Sequence, residues 1–268
     1  MQPPAPFIRE SGAGPAVVCL HSNASSSSQW RALGERLAPR FRVLAPDLLG
    51  AGKSPPRRAD HRAALQDELE LLEPVFERAG ESLMLVGHSY GAAVALVAAL
   101  ARPQRVRAMA LYEPTLFSLI DARTPPPNDA DGIRGAVAAA GLALDAGNPD
   151  EAARCFIDYW MGDGAWAHTP EARKGAIRES MADVRQWAAA LLGEPAPLQD
   201  FVGLDMPVLY MSGRNSPASS LGVASLLTRT LPRVQVLAFD GLGHMGPVTH
   251  PERVNEAIAG FLEVHRPS

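Results

Sequence analysis

Short, largely apolar runs separated by polar loops and by segments of helical spacing set the pattern of this chain. Ala16-Val17-Val18-Cys19-Leu20, Phe41-Arg42-Val43-Leu44-Ala45, Ser82-Leu83-Met84-Leu85-Val86, Val106 to Tyr112, Pro207 to Ser212 and Val234 to Phe239 each read as a buried strand. Between them lie stretches with apolar residues three and four apart. Trp30, Leu33 and Leu37 share one side of a helix over 28–38, and Leu65, Leu69, Leu72 and Phe76 form a stripe over 61–79. Ala92 to Ala101, 217–230 and 251–264 complete the helices of this alternation. From about 117 to 203 the alternation stops. A proline-rich hinge, Thr124-Pro125-Pro126-Pro127, opens helical segments over 131–146, 149–161 and 170–192, and Glu194-Pro195-Ala196-Pro197 closes them.

Alternating strands and helices predict an α/β fold: a mostly parallel central β-sheet with helices on both faces. Residues 1–116 and 204–268 are expected to form that core, and 117–203 a helical cap inserted after the strand ending near Tyr112. Aromatic and apolar residues of the cap, Phe117, Leu142, Phe156, Tyr159, Trp160, Trp166 and Trp187, are expected to form its interior, with a few lining an apolar acyl pocket. In such sheets the functional site lies at the C-terminal strand ends.

Composition narrows the partners. The 268 residues are 47% hydrophobic and 20% charged, with net charge −4 and no basic run, which argues against nucleic acid. No apolar stretch reaches the ~18 residues that a membrane span needs. The N-terminal Met1-Gln2-Pro3-Pro4-Ala5-Pro6 lacks the basic and apolar regions of a secretory signal. Cys19 and Cys155 do not make a disulfide framework, and Cys19 reads as a small core residue. The expectation is a cytoplasmic protein acting on a small molecule, with no membrane or nucleic-acid partner, as a single chain or a homodimer.

Gly87-His88-Ser89-Tyr90-Gly91 stands between the apolar strand 82–86 and the alanine-rich helix 92–101. Strand, G-x-S-x-G and helix in that order is the pattern of a nucleophile elbow, a strained turn that presents a serine hydroxyl at a helix N-terminus. Small residues two positions either side allow strand and helix to pack closely, and the helix start favours a developing negative charge. A tight turn with no chemistry would use the same residue types, so the rest of the chain carries the decision.

Three further segments do so: His21-Ser22 after the first strong strand, Pro46-Asp47-Leu48-Leu49-Gly50-Ala51-Gly52-Lys53-Ser54, and Gly241-Leu242-Gly243-His244 near the end. With the elbow, and in this order, they resemble the α/β-hydrolase fold family, in particular its small capped members. The resemblance implies Ser89 as nucleophile and His244 as its base. It implies an oxyanion hole made by the backbone N–H groups of Tyr90 and of the 21–25 loop, with Asn23 as the expected donor. His21 then braces that loop, His88 is a spacer in the elbow, and His250 is a solvent-facing residue at a helix entry.

The family usually carries its acid after the strand read at 207–212, and there this chain has Gly213-Arg214-Asn215-Ser216-Pro217, with Ser216 in the acid's place. No carboxylate lies between Met206 and Leu231. A second family location, at the end of the strand that follows the elbow helix, falls on Glu113, as in some haloalkane dehalogenases. Asp47 is expected to hydrogen-bond its own loop, and Asp240 the turn before His244. Serine rather than aspartate at the elbow argues against dehalogenase or epoxide-hydrolase chemistry.

Gly50-Ala51-Gly52-Lys53-Ser54 also resembles the end of a phosphate-binding loop. Asp47 occupies the first glycine's position, and Pro55-Pro56 follow where that motif needs a helix. No metal-ligand spacing is present, so no cofactor or metal is expected. The sequence thus reads as a serine hydrolase of an ester-like acyl compound. A carbon–carbon bond hydrolase, a lactonase or thioesterase, and a perhydrolase would use the same triad. A slow ligand-binding protein on the same fold is the alternative of another class.

Overall fold

A computed structural model describes residues 5–57 and 62–267. Seven strands form one sheet: β1 (Ile8–Ser11), β2 (Ala16–Leu20), β3 (Arg42–Pro46), β4 (Leu83–His88), β5 (Val106–Tyr112), β6 (Val208–Gly213) and β7 (Val234–Phe239). Their spatial order is β1-β3-β2-β4-β5-β6-β7. All neighbours pair in parallel except β1, which pairs antiparallel with β3 at the edge. β1 is short and polar (Ile-Arg-Glu-Ser) and half-buried, so it lacks the apolar run that marks the other strands.

The central strands are almost wholly buried and largely apolar because both faces of the sheet are covered. Successive residues serve opposite cores. Val18 and Leu20 of β2 and Leu85 of β4 join one cluster, while Val17, Cys19, Met84 and Val86 join the other. Helices α1 (Arg31–Leu37), α2 (Leu65–Ala79) and α3 (Tyr90–Ala101) cover the first half of the sheet. The spacing placed the start of α2 at 61; that residue lies outside the described ones, and 62–64 are irregular. Among the described residues no helix follows Lys53-Ser54 until Leu65.

Between β5 and β6 the chain forms α4 (Ser118–Arg123), α5 (Asp131–Asp145), α6 (Pro149–Met161), α7 (Ala165–His168), α8 (Glu171–Ser180) and α9 (Val184–Leu192). The helix expected over 170–192 is thus two helices joined by a 3₁₀ turn at Met181–Asp183. Met181 and Val184 are buried there, so the bend keeps the apolar stripe on the protein. Leu142, expected inside, is 70% exposed. Helices α10 (Ala218–Thr230), α11 (Gly246–Thr249) and α12 (Pro251–Val264) complete the chain. Among the described residues no helix is long and apolar enough to cross a membrane.

Chain order runs from β2 outward to β3 and then crosses back to β4 on the other side. The crevice between the loops after β2 and β4 is the switch point at which α/β sheets bind ligands. Asn23 and Ser89 stand on those two loops.

Candidate active site

Ser89 lies between β4 and α3 with φ 56° and ψ −118°, a conformation that L-residues adopt only under constraint. Close packing supplies the constraint. A Cβ on Gly87 would lie 2.5 Å from the Ala92 Cα, and one on Gly91 would lie 2.4 Å from the Leu20 carbonyl oxygen. The other described non-glycine residues with positive φ are Ala24 (52°) and Glu113 (45°). All three follow the C-terminal ends of strands, and Ser89 and Glu113 flank one imidazole.

That imidazole is His244. Its Nε2 accepts from the Ser89 hydroxyl at 2.8 Å, and its Nδ1–H donates to Glu113 Oε2 at 2.7 Å. Glu113 and His244 are almost wholly buried, and Ser89 is 6% exposed. The other carboxylate oxygen, Oε1, accepts from the Gly213 N–H (2.7 Å) and the Ser216 hydroxyl (2.5 Å). The serine at the usual acid position therefore holds the carboxylate that comes from the neighbouring strand. Ser220 Oγ lies 3.2 Å from His244 Nδ1 and can share its proton.

A second buried chain of hydrogen bonds ties the loop after β2 to the loop of His244. Gln29 Oε1 accepts from the Ser22 N–H and hydroxyl, both at 3.1 Å. Its Nε2 donates to His88 Nδ1 at 3.1 Å, and His88 Nε2–H donates to the His244 carbonyl at 2.9 Å. His21 accepts from the Leu48 N–H and donates to the Ser22 carbonyl. Burial pushes the affinity of both His21 and His88 for protons below that of ordinary histidine, which suits these neutral roles. Because Gln29 takes the Ser22 N–H, Asn23 is left with the free amide: its N–H has no acceptor among the described residues. Tyr90, whose N–H opens α3, is anchored by its hydroxyl to Glu68 (3.1 Å) and by its ring under the Arg57 guanidinium.

The remaining carboxylates lie apart from the imidazole. Asp47 accepts from Lys53 in its own loop and also from the Ser27 N–H. Asp240 does not bond the turn before His244: its side chain is 85% exposed and pairs with Arg214. His250 is exposed at the start of α12.

The insertion closes over this edge. Trp160 of α6 stacks on His244 with ring centroids 4.0 Å apart, and Tyr159 beside it hydrogen-bonds Ser219 of α10 at 2.7 Å. Phe117, Phe156, Trp160, Trp187 and Leu191 wall a narrow cavity of about 30 Å³ that Ser89 and His244 also line. A larger, more polar hollow of about 470 Å³ adjoins it at Asn23 and Trp187 and includes Ser25, Ser28, Arg57 and Asp183. The structure therefore brings Ser89, His244 and Glu113 into one hydrogen-bonded chain, with Asn23 and Tyr90 close by. Sequence reasoning missed Gln29 and Ser220, named Trp160 only as a cap residue without its stacking on His244, and took Ser216 as a missing acid and His88 as a spacer. Each acts through a contact far away in sequence, and no local motif announces it.

The family model of the alpha/beta hydrolase fold matches residues 15–251, and the chain belongs to that family. A 2-hydroxymuconate semialdehyde hydrolase of Pseudomonas sp. is 25% identical over 95% of this chain and 89% of its own length. A thermophilic esterase structure from Thermogutta terrifontis, with malate bound, is 25% identical, with a TM-score of 0.73 and coverage of 97% of this chain and 94% of that one. Some other relatives match only locally. An uncharacterized protein of Mycobacterium tuberculosis is 38% identical over 104 residues, 37% of this chain, and the match spans under a third (29%) of that relative's length.

Proposed function

We propose, from the premise that this chain is an alpha/beta hydrolase, that it is a serine hydrolase of ester-like acyl compounds working through an acyl-enzyme. The observation that carries this reading is the continuous chain Ser89–His244–Glu113, with hydrogen bonds of 2.8 and 2.7 Å in a buried setting. A serine hydroxyl is a weak nucleophile until an adjacent base takes its proton. His244 is that base, and Glu113 holds its Nδ1–H tautomer and stabilises the imidazolium formed in the transition state. The Asn23 and Tyr90 N–H groups receive the developing oxyanion, where fixed donors are worth more than mobile water. His244 then protonates the leaving alcohol, and a water activated by the same imidazole releases the acid. The aromatic cavity holds the acyl group, and the polar hollow beside Asn23 gives the alcohol and the water a route.

Esterase activity is named for the Thermogutta relative, which supports the reaction class. The carbon–carbon hydrolase reading uses the same residues, so it predicts the same loss on mutation and separates only by substrate. The test is covalent labelling by a fluorophosphonate, read by intact mass and peptide mapping, beside hydrolysis of activated esters. One adduct per chain on Ser89, lost in Ser89→Ala together with turnover, is expected. A protein that takes up no probe and hydrolyses no ester is a binding protein on this fold, and the proposal fails.

A further inference from the structure

Thr115 lies two residues beyond Glu113, in the buried stretch Glu113-Pro114-Thr115-Leu116-Phe117 that leads from the end of β5 to the aromatic wall. It lines the same cavity as Ser89 and His244 and is 1% exposed. Its hydroxyl has no hydrogen-bond partner among the described residues. Most of the other orphaned buried side-chain atoms, those of Arg9, Trp30, Arg105, Ser118 and Tyr210, lie away from this cavity, and those of Arg57 belong to the polar hollow. Thr115 alone combines an unsatisfied polar atom with the wall of the cavity that contains the nucleophile.

A hydroxyl buried without a partner is costly, whereas valine fills the same volume with no such penalty. Apart from Ser22, Asn23, Ser89 and His244 at its catalytic end, the other residues lining this cavity are apolar or aromatic, so a wall residue serving shape alone there has no use for the oxygen. Rotation about one side-chain bond exchanges the threonine hydroxyl with its methyl group, so the oxygen can turn to whatever occupies the cavity. A hydroxyl both donates and accepts, and it pairs equally with an alcohol or a keto oxygen.

We infer that Thr115 is a specificity-determining residue, and that the acyl group cleaved at Ser89 carries a hydroxyl or oxo oxygen on its chain that pairs with the Thr115 hydroxyl. This inference rests on the serine-hydrolase reading and names its substrate class: esters of hydroxy- or oxo-acids rather than of plain fatty acids. The aromatic walls then hold the carbon chain, and one polar contact selects the oxygenated acid. Sites built to hydrogen-bond a substrate oxygen discriminate against the analogue that lacks it more strongly than apolar pockets discriminate by size.

The experiment compares kcat/KM for the phenyl esters of butanoic, 2-hydroxybutanoic, 3-hydroxybutanoic and 3-oxobutanoic acids in the wild-type protein and in Thr115→Val, Thr115→Ala and Thr115→Ser. The wild type is expected to prefer at least one oxygenated ester over butanoate by about tenfold or more. The valine and alanine variants bring that ratio to within about twofold of one, and the serine variant keeps it. A wild type without preference overturns the inference by itself, as does a preference that survives in Thr115→Val or, where that variant does not fold, in Thr115→Ala. Fluorophosphonate labelling is run on each protein. Labelling at Ser89 with flat acyl preference sinks this inference alone, whereas absence of labelling and of all ester turnover sinks the reading beneath it.

Discussion

The polar side chains that bond His244 at the C-terminal edge of the sheet are buried and paired one with another, whereas most of those of the helical insertion lie at its surface and its buried face is largely apolar and aromatic. Glu113 has both oxygens occupied and no exposure. In the insertion, Arg185–Asp145 and Arg154–Glu151 form ion pairs with both side chains 40–60% exposed, of the kind that adds little to stability. The two regions meet at His244, whose edge is held by hydrogen bonds and whose face is covered by Trp160. Direction-dependent bonds fix where protons go, and non-directional apolar contact shapes what is held. Mutations on the two sides should therefore fail in different ways.

The largest effect is expected at Ser89, the proposed nucleophile. Ser89→Ala should lower kcat by roughly 10⁵–10⁶, the scale seen when a triad serine is lost. The fold should persist, because the strained turn is set by Gly87 and Gly91 contacts that the mutation leaves intact. Circular dichroism and steady-state kinetics check both halves. Activity within a few-fold of wild type would remove the contrast between the two regions altogether.

Next comes the acid. Glu113→Gln keeps the shape and loses the charge, and should cost roughly 10²–10⁴ in kcat with little change in KM. Ser216 sharpens the test. Ser216→Asp in the wild-type background places a second carboxylate where a hydroxyl now donates to Glu113 at 2.5 Å, and should be harmful. In the Glu113→Gln background the same change restores a carboxylate at the family's usual position and should recover part of the activity. If the double variant is instead worse than Glu113→Gln, His244 cannot reach an acid from the β6 loop.

Trp160 tests the other side of the imidazole. An indole on the face of an imidazolium stabilises the charge, so Trp160→Leu should lower kcat by roughly tenfold and Trp160→Phe by less, on the scale of cation–π contacts. Equal losses in the two variants would mean that Trp160 only fills space. Its loss should also appear in the acyl preference, because the same ring walls the cavity.

The same contrast explains what could be read from the sequence. Buried strands announce themselves because both faces are covered, as the apolar run Ala16–Leu20 shows. The elbow is legible because strand, small residues and helix occur in a fixed local order. β1 escaped because an edge strand needs little apolar character. The bend at Met181–Asp183 escaped because its buried residues keep helical spacing on either side. Gln29, Ser220 and Trp160 reach His88 or His244 only after the chain has folded, so their roles leave no periodicity or motif behind.

The smallest effect is expected at Asp240, and it isolates burial as the property that separates the two kinds of polar group. Asp240 stands only four residues before His244, on the loop that carries it, and sequence distance alone would favour it over Glu113, which is 131 residues away. Its side chain nevertheless points into solvent, 85% exposed, and its partner Arg214 is 64% exposed. Water and salt screen such a pair, and its contribution to stability or to the orientation of His244 is small. Asp240→Asn should therefore leave kcat and KM within about twofold of wild type at moderate salt. Glu113→Gln measured beside it supplies the scale. A dead Asp240→Asn enzyme with a near-normal Glu113→Gln enzyme would falsify the assignment of the acid and transfer the role to Asp240. Near-normal activity in both would leave a Ser89–His244 dyad, with Ser220 or a water holding the imidazole proton that Glu113 now receives.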